Sequence, residues 1–245
     1  MPRYKLLIEY HGGPYQGWMK LPGISTVQGA LEEAAAKLDG APVEVVGAGR
    51  TDAGVHATGQ VAHMDLAQDR PDKVADAMNF HLRPHPIAVL KADRVADDFH
   101  ARFSAEARHY RYVLVNRRAH LALDNGLAWR VPSKLDAGAM HEAAQLLLGY
   151  HDFTTFRDAA CQAASPEKTL DRFDVARFGD RIVFTLSARS FLHRQVRSMV
   201  GSVVEVGRGF QRPEWITQIL KAADRKACGP VAPADGLFLE RVDYP

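Results

Sequence analysis

Apolar residues recur along this chain with two periods, and the order in which those periods alternate predicts the architecture. Residues 3–10 read as a short, apolar-rich strand. After a loop rich in Gly and Pro, Ser25-Thr26-Val27-Gln28 reads as a capping box, and Val27, Leu31, Ala34 and Leu38 then share one helical stripe that Gly40 ends. Residues 43–46 and 59–66 read as strands. Asp69-Arg70-Pro71 opens a helix with Val74, Met78 and Leu82 inward, and Ile87–Val95 is a further strand.

The second half repeats this order. Residues 108–115 alternate, with Tyr110, Tyr112 and Leu114 on one face and His109, Arg111, Val113 and Val115 on the other. A helix follows over 136–148, closed by Gly149. Residues 170–178 and 181–188 form a hairpin through Gly179-Asp180, residues 192–206 are helical, a helix opens at Pro213, and 237–243 is a final strand. Two successive β-α-β-β-α-β units predict an α+β protein. It would consist of two tandem ferredoxin-like, RRM-like halves, residues 1–105 and 106–245, joined into one mixed, mainly antiparallel sheet. No low-complexity tract or long linker separates the halves. Such sheets often serve as RNA platforms, but the fold alone decides little about function.

Composition narrows the class. At 47% hydrophobic and 24% charged, this is an ordinary globular chain. The first residues lack a signal-peptide pattern and no segment has the length of a membrane span, so a cytoplasmic location without a membrane is expected. Cys161 and Cys228 are far apart, without Cys-x-x-Cys spacing, and are expected to be reduced thiols. Net charge is only +2, so positive charge must be sought locally. Residues 102–118 carry Arg102, Arg108, Arg111, Arg117 and Arg118 against Glu106, and residues 187–212 carry Arg189, Arg194, Arg197, Arg208 and Arg212 against Glu205. Interleaved with Tyr110, Tyr112, Phe191 and His193, these windows suit nucleic acid, or else form a solvated charged face.

The densest chemistry is Gly47-Ala48-Gly49-Arg50-Thr51-Asp52-Ala53-Gly54-Val55-His56-Ala57, a carboxylate and a guanidinium among glycines. Glycine lets the backbone approach a ligand closely, and Arg50 can orient the Asp52 carboxylate; the plainer alternative is an Asp that bonds its own turn. The spacing excludes a dinucleotide fingerprint, which would need Gly or Ala where Asp52 stands, and the chain has no P-loop lysine motif. His81 and His85 have metal-like spacing, but Pro84 and Pro86 break the helix that would align them, and no metal is expected.

In this frame the chain resembles the tRNA pseudouridine synthase A family over nearly its whole length. The resemblance rests on Tyr15-x-Gly17-Trp18, Thr26-Val27-Gln28, the Arg50-Thr51-Asp52 loop, Asp98-Phe99-His100-Ala101-Arg102-Phe103-Ser104-Ala105 and Tyr110-Arg111-Tyr112. It continues through His151-Asp152-Phe153, Phe191-Leu192 with Val196-Arg197, Val206-Gly207-Arg208-Gly209, and Ala232-Pro233 with Gly236-Leu237-Phe238-Leu239. It implies the pseudouridine synthase fold and isomerisation of uridine in the tRNA anticodon stem-loop by a homodimer. Asp52 would be the nucleophile, attacking either C6 of the uracil or C1′ of the ribose, with Arg197 as its basic partner. Tyr110 would stack on the base and relay the C5 proton, Arg50 would hold the flipped nucleotide outside its stack, and Leu237 would line the base pocket. No cofactor is required, because every substrate atom reappears in the product.

At i and i+4 on the helix expected over 192–206, His193 and Arg197 would share a face, which favours His193 as a phosphate or substrate contact over a core histidine. The chain departs from the family pattern at Met19, where Gln is frequent, and at Phe80 and Arg83-Pro84-His85, all outside the Asp52 constellation. The rival class is a non-catalytic RNA-binding or RNA-chaperone protein using the arginines and tyrosines for contact alone, for which an anion at Asp52 is a liability. A glycosidase-like hydrolase would need a matched second carboxylate, and the adjacent pair Asp97 and Asp98 reads as a turn.

Overall fold

The computed structural model describes residues 1–70 and 72–245. In chain order the first elements are β1 (Arg3–Tyr10), α1 (Val27–Asp39), β2 (Val46–Gly47), β3 (His56–Asp65), α2 (Val74–Leu82) and β4 (Ile87–Val95). There follow β5 (Ala107–Val115), β6 (Trp129–Arg130), α3 (Ala137–Gln145), β7 (Gly149–Asp152), β8 (Glu167–Leu170) and β9 (Arg172–Phe178). The chain closes with β10 (Arg181–Ala188), α4 (Gln195–Gly207), α5 (Trp215–Ala222) and β11 (Leu237–Asp243). This is an α+β fold of mainly antiparallel strands. The described residues separate into two compact units, Met1–Glu106 with Phe238–Pro245, and Ala107–Leu237.

In the first unit β1 lies between β3 and β4 and is antiparallel to both, with Leu7 opposite Val61 and Lys91. Its alternation buries Tyr4, Leu6, Ile8 and Tyr10, each aliphatic side chain contributing about 1.5–3 kcal/mol. On the other edge of β3, β11 runs parallel to it, pairing Phe238 with His56. Helices α1 and α2 pack against each other. Helix α1 buries Val27, Leu31, Ala34 and Ala35 and ends at Gly40 with φ +81°, a left-handed conformation that favours glycine. Its cap is Thr26, whose Oγ1 accepts from Gly29 N at 3.2 Å, one residue later than the box expected at Ser25. The strand expected over 43–46 reduces to β2. Helix α2 starts at Val74, after a left-handed Asp72, rather than at Asp69; Pro71 lies outside the described residues.

In the second unit β10 lies between β5 and β9, both antiparallel to it, with Tyr110 opposite Leu186 and Leu186 opposite Phe173. The hairpin turn at Gly179-Asp180 is as expected, Gly179 having φ +62°. The strand expected over 170–178 is β9, starting at Arg172; Leu170 instead ends β8, which pairs with β7 in a separate two-stranded sheet. Gly149, at φ +97°, opens β7 and does not cap α3, which ends at Gln145. Helix α4 begins at Gln195 rather than 192, since Arg194 at φ +58° is left-handed and cannot belong to it. The last strand of the second predicted repeat, β11, has residues 238–243 in the first unit.

Candidate active site

In the first unit the Asp52 loop is clasped by the segment that carries Tyr15-x-Gly17-Trp18. Trp18 N donates to Thr51 O at 3.0 Å, Gly54 N donates to Tyr15 O at 3.3 Å, and Val55 N closes the turn onto Asp52 O at 3.1 Å. A Cβ on Gly12 would stand 2.0 Å from Val55 O, and one on Gly17, at φ +97°, 2.7 Å from Thr51 O. Both glycines therefore exist to let two backbones touch. From below, the Tyr10 hydroxyl shares a buried 2.8 Å hydrogen bond with Thr51 Oγ1, and Gln60 Nε2 donates to Gly49 O at 2.9 Å. Burial raises the Tyr10 phenol far above its ordinary range, so it stays neutral. His56, buried at the start of β3, accepts from Gly12 N through Nδ1 at 2.9 Å. On this frame Asp52 is half-buried and Arg50 exposed. A carboxylate partly open to solvent on a locked main chain is an arrangement suited to a positioned nucleophile.

In the second unit Tyr110 lies on β5, 9% exposed, edge-on to Phe191 with ring centroids 5.3 Å apart. Arg197 lies in the first turn of α4, half-buried. Its Nε donates to Ala232 O at 2.8 Å, while Ala232 N donates to Arg197 O at 3.1 Å. The 230–232 segment reaches α4 because Gly201 has no side chain; a Cβ there would lie 1.7 Å from Pro230 O. The next residue, Pro233, receives the Tyr112 hydroxyl, which donates to its O at 2.9 Å. Burial holds the Tyr112 phenol well above its usual range, with the Arg197 charge opposing. Leu237 is buried at the start of β11, behind Gly236, whose Cβ would meet Val113 O at 2.6 Å.

His193 is not on α4, so the shared face expected for it and Arg197 does not exist. Its exposed ring stands 3.6 Å from Asp158 through Nδ1, and Arg194 reaches the same carboxylate at 3.0 Å. Burial alone would raise the Asp158 carboxyl, but the Ala160 N–H and the Arg194 and His193 charges outweigh it and bring it below its ordinary value. The arginine windows are likewise partly structural. Arg117 pairs with Asp180, Arg208 with Glu205, and Arg108 is buried with its guanidinium on Arg189 O. Arg118, Arg189 and Arg212 are exposed. Both cysteines are free thiols. His81 is in α2 and His85 beyond its end, bonded to the Tyr15 hydroxyl at 3.1 Å. Among the departures, Met19 and Phe80 are exposed. No helix among the described residues is long and apolar enough to cross a membrane.

A part of the loop's support escaped the sequence reading. Tyr10, Gly12 and Gln60 hold the loop from β1, the β1–α1 connection and β3, and nothing in their local pattern separates them from ordinary strand and turn residues.

Comparison with known proteins bears on this geometry. The chain matches the family model described as tRNA pseudouridine synthase over residues 7–104 and 143–245. It is similar to the tRNA pseudouridine synthase A of Hyphomonas neptunium, at 78% identity over 245 residues, covering 100% of this chain and 99% of that protein. The tRNA pseudouridine synthase A of Maricaulis maris is 63% identical over 246 residues, again covering 100% and 99%. That of a Bradyrhizobium species is 61% identical over 245 residues, with 100% of both chains covered.

Proposed function

Because the chain belongs to the tRNA pseudouridine synthase family, whose members isomerise uridine to pseudouridine in tRNA, we propose that Asp52 is the nucleophile of this isomerisation. The observation that carries this reading is the locked loop: Gly12, Gly17 and Thr51 hold the main chain on which a half-buried carboxylate is presented.

The reaction breaks the bond between N1 and C1′, turns the base and joins C5 to C1′. The C5 proton leaves and N1 gains one, so atoms balance without a redox or metal cofactor. Arg197 is the cation that stabilises the Asp52 carboxylate, and its tether to Ala232 limits the positions its guanidinium can take. Tyr110 stacks on the uracil and relays the C5 proton, a role its fixed edge-on packing against Phe191 favours. Exposed Arg50 holds the flipped nucleotide out of its stack, Leu237 lines the base pocket, and His193, placed by Asp158, meets substrate phosphate. In this proposal the N-terminal half carries the nucleophile and the C-terminal half supplies Tyr110, Arg197 and Leu237. The substrate site is the anticodon stem-loop, and the enzyme works in the cytoplasm as a homodimer. These last points rest on the family resemblance. The relatives, all named as synthases, favour the enzyme over a binding module.

The test uses pure protein, without added cofactor, and tRNA tritiated at C5 of uridine. Wild type is expected to release label. Asp52→Asn is expected to lose about 10³-fold or more in rate while binding tRNA within a few-fold of wild type. Equal tRNA binding with no release from either protein would overturn the enzymatic reading; release by Asp52→Asn at the wild-type rate would overturn the assignment of Asp52.

A further inference from the structure

The chain between β5 and α3 builds a cleft that contains none of the residues assigned to the reacting uridine. Its core is β6, which pairs with β5 in parallel and sets Trp129 beside Leu114. The Trp129 ring packs nearly perpendicular to Tyr112, with centroids 6.3 Å apart, and the Arg208 guanidinium carbon lies over the ring, 5.9 Å from its centre. Trp129 remains half-buried. Beside it opens a cleft of about 460 Å³ whose lining includes His120, Asn125, Trp129, Arg130, Pro233 and Asp235. The segment 120–130 lies between the two stretches matched by the family model, 7–104 and 143–245.

The lining sorts into the parts of a nucleotide site. The half-buried indole contributes aromatic surface to the cleft for contact with a base, and a volume in the range of small-molecule sites leaves room for one nucleotide. Exposed Arg130 and His120 can donate to phosphate oxygens, and Arg130 is steadied by its Nη1 hydrogen bond to Arg118 O at 2.7 Å. Asp235 and Asn125 supply acceptors and a donor amide for a base edge or ribose hydroxyl. In the adjoining chain, Arg118 is exposed, and Asp124, next to Asn125, is paired with Arg181 at 2.8 Å, so the local charge suits a polyanion.

From these observations we infer that the cleft beside Trp129 binds a nucleotide of the tRNA other than the target uridine. The base lies against Trp129 and its phosphate lies on the side of Arg130 and His120. This inference rests on the proposed tRNA substrate, and it adds a contact that secures the RNA away from the reacting base.

The experiment measures binding of full-length tRNA transcript to wild type and to the double variant His120→Ala/Arg130→Ala across a salt series, with tritium release from the same wild-type preparation as a parallel arm. The double variant is expected to bind about tenfold more weakly at physiological salt, and its salt slope is expected to fall by about one to two. Trp129→Leu is expected to weaken binding and Trp129→Phe to restore most of it. Should Trp129→Leu fail to fold, the two surface substitutions still decide. Unchanged affinity and salt slope in the double variant, with wild type releasing tritium, would overturn this inference alone; a double variant altered in sedimentation but not in tRNA affinity would overturn it in favour of a protein contact. A wild type that binds tRNA without releasing label would instead overturn the enzymatic reading and leave the cleft to be judged by the binding data.

Discussion

In the first unit the Asp52 loop takes its place from main-chain contacts. Trp18 N and Tyr15 O clasp it, and Gly12 and Gly17 bring a second backbone against it. In the second unit Arg197 is placed through its own side chain, Nε on Ala232 O, with Gly201 admitting the segment that provides that carbonyl. The difference shows where each region is vulnerable. Neutral backbone contacts are screened little by salt and are disturbed chiefly by adding atoms at the glycines. A long cationic side chain is disturbed as soon as its tether moves.

The comparison can be broken most directly at the glycines. Gly12→Ala places a Cβ 2.0 Å from Val55 O, and the three nearest atoms it would meet are all backbone, of Val55 and Gly54. It is expected to cost about 3 kcal/mol or more and to lower kcat about a hundredfold, as read by thermal unfolding and tritium release. A Gly12→Ala enzyme with wild-type kcat would end the idea that main-chain packing positions the carboxylate. Gly201→Ala forces Pro230 O away from α4 and is expected to reduce kcat about tenfold through Arg197, without changing any charged group. If it alters only stability, the Ala232 tether has no part in catalysis. Tyr10→Phe removes the buried hydrogen bond to Thr51 Oγ1. The expected cost is about 1–2 kcal/mol, a fall in melting temperature of about 2–8 °C, with turnover reduced a few-fold.

The last effect, absent at neutral pH, sharpens the contrast between neutral and charged placement. His63 on β3 is buried, which lowers its pKa to about 4, and the nearby Arg3 charge adds to the shift. Its Nδ1 accepts from Ala101 N at 3.2 Å, a bond the protonated ring cannot keep. The unfolded chain takes up this proton near pH 6.5 and the folded chain only near pH 4. Stability is therefore present in full above about pH 6.5 and falls as pH drops toward 4. His63→Gln, which retains an acceptor, is expected to flatten that part of the melting-temperature profile. An unchanged slope would show that His63 titrates alike in both states.

Strands β1 and β4 and the β9–β10 turn were legible because their signals are local. Alternation needs only neighbouring residues, and Gly179 needs only its own φ. Helix starts were less legible. Arg194 carries no sequence mark of its left-handed conformation, and the expectation that His193 and Arg197 share a helical face failed there. Strands β6, β7 and β8 are too short for a period to be read from them. The arginine windows show a related limit. Composition counts Arg117, Arg208 and Arg108 as positive charge, but the fold commits them to Asp180, Glu205 and Arg189 O.

The sequence by itself determined the α+β class, the order of the longer elements and the family, and it singled out the tripeptide Arg50-Thr51-Asp52 as the candidate centre of the chemistry. These depend on periodicity and on residue types in close succession. Only the tertiary structure decided that Tyr10, Gly12, Gly17 and Gln60 hold the loop that carries it, that Arg197 is tethered to Ala232, and that Trp129 borders a cleft with Pro233 and Asp235. Each of these depends on contact between residues distant in the chain, where a missing Cβ or a single carbonyl oxygen matters and no local pattern records which partner it will meet.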